Sequence, residues 1–417
     1  NRLVQLGGEV KDDLMLSASK FNQRVGQVAS QVYGLSSIRP PEGLDLDELL
    51  KIIEEDSEAS EGNLRVCVET VEKWTEEVEK LLEAENGQST ATGKHPMAEI
   101  LFWRDRSERL SSLFEQLKLG TCQKVVEVVE KYLQSGPGGE GAESAGRVLG
   151  RFKERQSALH KLHLEAKDNV RFLMTLERHL KKLTNGGMAE IAETLPNLLN
   201  ALRMVWVVSR YYNTDERMEP LLTRIAEQIA ARVNDQISVR ALLRRSPVRA
   251  GAIVGRCKAT LDGWERSYME TRSRIEESGS DHRWEFDRAK LFKRTKYMSK
   301  ICGDLMEITK VLEQFYKFLG PELKEVTGDP VGIDNLLEEV ASSAAAFKTF
   351  GECFDERHRK AWDRVMQQFR EKTVEIEDKA IVFLDTRFRQ VARRLSYGTL
   401  YLLGGILCVG WPSWLSK

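Results

Sequence analysis

Proline is scarce, at ten residues in 417. That is about half the usual ~5%, so few positions force a break and helix is open along most of the length. Cysteine is sparse as well: Cys67, Cys122, Cys257, Cys302, Cys353 and Cys408 never lie closer than the 45 positions between Cys257 and Cys302. Such spacing builds no C-x-x-C pair, zinc knuckle or local disulfide framework, and a reducing, intracellular setting is expected. An excess of one charge is also missing. Lys plus Arg (63) nearly cancels Asp plus Glu (64), leaving a net −1, so no global field recruits nucleic acid or an anionic membrane. No stretch alternates apolar and polar residues as a strand would. The chain opens Asn1-Arg2-Leu3 without a basic stretch leading into an apolar one, so no signal peptide is read and a fragment of something longer is expected.

What the chain has in plenty is helical periodicity. At 41% hydrophobic and 30% charged residues, composition excludes disorder throughout and a polytopic membrane protein. Ile191, Leu195, Leu198, Leu202, Val205 and Ser209 step by three or four, with Leu199 and Trp206 widening the stripe. Leu222, Ile225, Ile229, Val233 and Ile237 repeat it. From Asp355 to about Leu395, Trp362, Val365, Phe369, Ile376, Ala380, Phe383 and Val391 keep near-heptad spacing. That stretch predicts a rod of roughly 60 Å at ~1.5 Å per residue. The fold class expected is all-α: an elongated array of successive antiparallel helical bundles with long helices.

Punctuation divides this array. Arg39-Pro40-Pro41-Glu42-Gly43 stops the first helical stretch, and a polar loop spans 86–94 within an N-terminal segment 1–94. Residues 95–327 form the main helical body, interrupted by a flexible linker at 135–146 centred on GPGGEG. Asn185-Gly186-Gly187 reads as a left-handed helix stop. Gly328-Asp329-Pro330 opens a last helical stretch to 394, which contains the alanine-rich Ala341–Ala346, and 395–417 is an uncharged apolar end.

Several motifs imitate chemistry. GPGGEG fits G-x-G-x-x-G, but a charged helix, Lys124 to Gln134, precedes it where the dinucleotide fingerprint needs a strand. Gly87 to His95 resembles a phosphate loop, yet five residues separate Gly87 from Gly93 and His95 stands where a Ser or Thr should follow Lys94. His160 and His163 lie one turn apart without a third ligand on their face, since Glu165 points elsewhere, and read as partly surface histidines. Cys353 and His358 are too far round a helix to pair as nucleophile and base. No catalytic residue, cofactor site or metal site is read.

Two further windows have plain alternatives. Arg240, Arg244, Arg245, Arg249, Arg256 and Lys258 occupy Gln236–Leu261 without one acidic residue. This is either a solvated turn between helices or a surface for an acidic partner, and the absence of interleaved aromatics speaks against nucleic acid. Arg244-Arg245-Ser246-Pro247 weakly resembles a kinase site. Residues 395–416 are long enough to span a bilayer, with Trp411 and Trp414 suited to its interface. They read either as a membrane anchor on a helical cytoplasmic rod or as an abrupt end grafted onto a soluble helix.

Four blocks resemble one family. His95 to Leu110 (HPMAEILFWRDRSERL), with Phe102, Trp103 and Arg104, is similar to the E-I-x-F-W-R-x-R-S segment of the N-terminal tail of dynein heavy chains. Glu165 to Leu180, with Asp168, Asn169, Phe172 and Leu173, resembles its E-A-x-D-N-x-x-F-L helix. Met204 to Met218 carries Trp206, Ser209, Tyr211, Tyr212 and Asn213 of a W-x-x-S-x-Y-Y-N-T run, and Arg283 to Phe292 carries Trp284 and Phe286 of R-W-E-F-D. The resemblance covers about 95–394 and favours the axonemal type; 395–417 departs from the family pattern. It implies an elongated tail of stacked bundles without the ATPase ring. Such a tail associates with another heavy chain, binds intermediate and light chains, and attaches the microtubule motor to axoneme or cargo, with a location in the cytoskeleton of a cilium or flagellum. The residues themselves read as structural: Trp103, Trp206 and Trp284 as anchors of helix contacts, Tyr211 and Tyr212 as a plug ahead of a cap at Asn213-Thr214-Asp215, and Arg104 with Glu108 as a surface pair.

Overall fold

A computed structural model of the chain describes residues 38, 45–55, 61–86, 91, 93–135, 140–279, 283–320, 338 and 356–394. The break at 39–43, most of the 86–94 loop, residues 136–139, the stretch 328–337, the alanine tract, Cys353, Cys408 and the apolar 395–416 lie outside the described residues. Among the described residues all regular structure is helical: α1 (Leu46–Glu55), α2 (Glu61–Asn86), α3 (Met97–Leu117), α4 (Gly120–Ser135), α5 (Glu140–Leu173), a 3-10 turn (Met174–Leu176), α6 (Glu177–Asn185), α7 (Met188–Val208), α8 (Asp215–Gln236), α9 (Val239–Leu243), α10 (Pro247–Glu277), α11 (Arg288–Phe318) and α12 (Glu356–Arg394). No described helix is long and apolar enough to cross a membrane.

Local chemistry sets the helix ends. Asp45 caps α1 through its Oδ1, which accepts from the backbone of Asp47 at 3.0 Å, and Asp287 does the same for α11 through Lys290 at 3.1 Å. Pro247 stands at the first position of α10, where its missing N–H costs nothing. The left-handed stops fall at Gly279 (φ 65°) and Gly320 (φ 51°), just past α10 and α11.

Two expectations change here. Gly186 and Gly187 are not left-handed. Gly186 is required instead by proximity: a Cβ there would stand 2.5 Å from the Lys182 carbonyl oxygen and 3.0 Å from Glu190 Oε2. Arg232 seals the same turn by donating to the Gly186 carbonyl at 2.8 Å. The linker expected over 135–146 also shortens, because Glu140 to Gly146 already belong to α5. Ala142, Glu143 and Ala145 favour helix over the glycines around them, and Ala145 is buried.

The chain forms two compact units, one up to Arg178 together with Met204–Leu221, the other His179–Arg203 and everything from Leu222. In the first unit α5 is the spine and α2, α3 and α4 pack along it. Ser111 bonds His163 and Phe114 stacks on His160 and His163, so α3 runs against α5. Glu130 pairs with Lys153 across the α4–α5 hairpin at 2.6 Å.

In the second unit the predicted stripes face inward, with Ile191, Leu195, Leu198, Leu202, Leu222, Ile225, Ile229, Val233 and Ile237 all buried. Helices α10 and α11 form an antiparallel hairpin, in which Lys258 and Asp262 meet Ser299 and Glu265 meets Lys296. At Gly251 a Cβ would come within 3.3 Å of Thr309 Oγ1, which shows how closely the two backbones approach. The last helix breaks the expected antiparallel scheme. Lys300 pairs with Asp363, Trp362 Nε1 donates to Asp304 at 2.6 Å, Arg370 grips Glu307 through Nε and Nη2, and Phe315 and Leu319 bury Ile376 and Ala380. Partner numbers rise together, so α12 runs parallel to α11. Residues 319–355 supply more chain than the ~14 extended residues needed to return along a helix of about 46 Å. On α12, Trp362, Phe369, Ile376 and Ala380 are buried as the near-heptad spacing predicts, together with Met366. Val365 and Phe383 are half-buried, and the Val391 side chain lies outside the described ones.

Two glycines separate proximity from flexibility. Gly186→Ala should lower the urea midpoint by the equivalent of more than ~1 kcal/mol, because backbone must shift. Gly150→Ala, in mid-α5 with nothing near its Cβ position, should raise it by up to about 1 kcal/mol.

Candidate functional site

The inward stripe of α3 carries Glu99, Trp103, Arg106 and Leu110 at helical spacing, and all four are buried. A carboxylate and a guanidinium at such positions demand partners, since an isolated buried charge costs several kcal/mol. Glu99, 1% exposed, accepts from Trp103 Nε1 at 2.9 Å and from Tyr212 Oη at 3.0 Å. The rings of Trp103 and Tyr212 meet edge to face with centroids 6.4 Å apart. Arg106 turns back to Glu85 at the end of α2 at 3.1 Å, and Arg109 reaches the same carboxylate at 2.8 Å. Burial pushes the Arg106 guanidinium below its ordinary value, while the charges of Glu85 and Glu165 pull it up.

The other two blocks of this unit join the same cluster. Arg217 of α8 pairs with Glu165 of α5, donates to the Tyr211 carbonyl, and lies over the Trp103 ring, 5.0 Å from its centroid. Asp168 accepts from the Arg210 backbone at 3.3 Å. Ser209 Oγ accepts from the Tyr212 backbone at 2.9 Å and closes the turn after α7. Asn169, Leu173 and Tyr212 are fully buried and Trp206 nearly so, whereas Phe102, Phe172, Tyr211 and Asn213 are half-buried. The cap of α8 falls at Thr214, whose carbonyl accepts from Met218 at 2.9 Å. Sequence blocks about forty to a hundred residues apart thus converge on one cluster built around the Trp103 indole. Arg104 and Glu108 do not pair; both are exposed. The signal missed in the sequence was the i, i+4, i+7 placement of Glu99, Trp103 and Arg106, which puts the second arginine of F-W-R-D-R inside.

The fourth block belongs to the second unit. Trp284 lies not on a helix but in the segment leading into α11, with Phe286 at 5.0 Å and Tyr268 at 5.7 Å between ring centroids. Tyr268 meets Phe292 at 5.1 Å, so these rings plug the end of the α10–α11 hairpin that Asp287 caps.

His163 differs from the surface reading. It is 5% exposed, bonded to Ser111 at 3.2 Å and stacked on Phe114, while His160 stacks on the same ring from an exposed position. Burial, with Lys167 adding, pushes His163 below its ordinary value. The thiols of Cys67, Cys122 and Cys257 are pushed by burial up to about 11, and Cys302 higher still, so none is a thiolate at neutral pH. Among the described residues no three His, Cys, Asp or Glu side chains converge as metal ligands.

In the basic window, Arg240 pairs with Glu338, and Lys258 with Asp262 and Ser299. Arg244, Arg245, Arg249 and Arg256 are exposed, and their guanidinium groups make no ion pair or hydrogen bond among the described residues.

These features define an all-helical protein in which the polar groups around Trp103 hold helices to one another. The family described as Dynein heavy chain, N-terminal region 1, matches residues 65–398. The chain is 37% identical over 381 residues, 91% of its length, to the Dynein-1-alpha heavy chain of the flagellar inner arm I1 complex of Chlamydomonas reinhardtii. It is 37% identical over 382 residues to human Dynein axonemal heavy chain 10, and 29% identical over 246 residues to the Dynein-1-beta heavy chain of the same Chlamydomonas complex. The chain belongs to the dynein heavy chain family and carries its N-terminal region. It spans 8% of the length of the first two relatives.

Breaking the cluster should be costly in proportion to what is stranded. Tyr212→Phe should destabilise by about 1 kcal/mol, and Glu99→Ala, which removes the acceptor shared by an indole N–H and a phenol, by roughly 3 kcal/mol, both from urea unfolding. His163 adds a pH dependence. As pH falls below ~6.5, the unfolded chain gains a proton that folded His163 resists, so stability declines until the depressed folded value is reached. His163→Phe should flatten that decline between about pH 7 and 5, as followed by thermal unfolding.

Proposed function

We propose that this chain is a non-catalytic tail segment of a dynein heavy chain and a scaffold for assembly. It associates with another heavy chain, binds intermediate and light chains, and attaches the motor to the axoneme of a cilium or flagellum in microtubule-based movement. The observation that carries this reading is the continuous match over 65–398, with 37% identity to an inner-arm and an axonemal heavy chain. The architecture supports it. The buried acids and cations of the Trp103 cluster are engaged with partners on other helices or turns. The thiols of Cys67, Cys122, Cys257 and Cys302 are buried, and exposed helix faces remain on which partner helices can lie.

Co-precipitation of the full chain with axonemal intermediate chains should recover a complex. Recovery of none, where the complete tail binds, overturns the scaffold reading. Equilibrium binding of labelled ATP should detect no site at micromolar concentration, and saturable uptake would overturn the non-catalytic one.

A further inference from the structure

Several arginines among the described residues are held by a carboxylate of the fold itself. Arg151 and Arg155 share Glu79, Arg217 holds Glu165, Arg272 holds Glu276 and Glu285, and Arg370 holds Glu307. By contrast Arg244 and Arg245, in the turn after α9, and Arg249 and Arg256 on α10 face solvent without an ion pair among the described residues. No acid occurs from Gln236 to Leu261. The carboxylates that bracket the window have partners of their own, Asp235 with Arg232 at 3.8 Å and Asp262 with Lys258 and Ser299. Arg249 and Arg256 are seven residues apart on α10, so they share a side of the helix about 10 Å from each other, a span that three residues of extended peptide cover. Val248 stands among them, 58% exposed.

We propose that Arg244, Arg245, Arg249 and Arg256 form a docking surface for an acidic, Asp- and Glu-rich polypeptide segment. Guanidinium groups grip carboxylates bidentately and are weakly hydrated, so they suit this partner better than lysines would. Four of them without an internal counter-charge form a local positive field on a chain that is otherwise neutral. Nucleic acid fits less well because the window has no aromatic ring on which a base can stack. A membrane fits less well because interfacial binding needs a broad apolar face and Val248 is a single side chain. Ser246, exposed and between Arg245 and Arg249 in the chain, is a position where one added negative charge should compete with the partner. The inference stands on charge placement alone and does not rest on the tail reading.

The test is fluorescence anisotropy of a labelled poly-glutamate peptide against the full-length chain at low salt. Saturable binding is expected in the range of tens of micromolar, weakening with added salt. The variant with Arg244, Arg245, Arg249 and Arg256 all changed to Gln should bind at least about tenfold more weakly, and Ser246→Glu several-fold more weakly. Removing four exposed cations elsewhere, Lys161, Lys167, Arg171 and Arg178, should change binding by less than about twofold. Circular dichroism verifies that each variant keeps its helix content; if the fourfold variant does not, Arg249→Gln with Arg256→Gln is read in its place. The proposal is overturned by any of three results: no saturable peptide binding, equal loss from both sets of substitutions, or tighter binding of an oligothymidylate or of phosphatidylserine vesicles than of the peptide.

Discussion

A carboxylate taken out of water among packed helices tolerates few arrangements, and Glu99 imposes that constraint on the first unit. Its hydrogen bonds to Trp103 and Tyr212 fix the rotamer of the indole on its own helix and tie in the phenol, which lies beyond α7 in the chain. Apolar burial would tolerate rotations and slips of helix against helix; a buried acid with an indole and a phenol to satisfy does not. The Arg106–Glu85 pair adds a second such constraint at the end of α2, and Arg217–Glu165 a third between α8 and α5. Hydrophobic area supplies most of the gain on folding, and these pairs decide which helix faces meet.

Much of the fold was legible because helix is a local matter. The stripes of α7 and α8 and most of the α12 stripe emerged from spacing, since one residue type at three- or four-residue intervals has only one face to go to. The family blocks were legible in the same way, as words. What spacing does not carry is which helix lies opposite. That Trp103 would meet Tyr212, that Arg106 and not Arg104 would turn inward, and that α12 would run alongside α11 in the same direction all depend on contacts between residues far apart in the chain. Gly186 looked like a conformational stop because glycine is usually placed for its freedom. Here the absence of a side chain mattered, and only the neighbouring carbonyl reveals it. The burial of His163 is hidden for a similar reason: a polar residue on an amphipathic helix gives no sign of whether a serine and a phenyl ring await it.

The candidate site is therefore a joint. Three of the four blocks that carry the resemblance converge on one cluster, and the fourth plugs the end of a hairpin in the other unit. Residues that hold helices in register shape the surface without forming it. The exposed arginines beside Ser246 are a different kind of feature, since nothing inside the described fold uses them.

The direction of α12 has a mechanical consequence. In the α10–α11 hairpin the outer ends of the two helices sit side by side, so tension applied there peels contacts away one after another. In the parallel pair α11 and α12, the start of one helix and the finish of the other lie at opposite extremities. Tension between those points loads Lys300–Asp363, Trp362–Asp304, Arg370–Glu307 and the Phe315–Ile376 cluster simultaneously in shear. A polypeptide strained along its length would yield at the hairpin before it yielded at this pair.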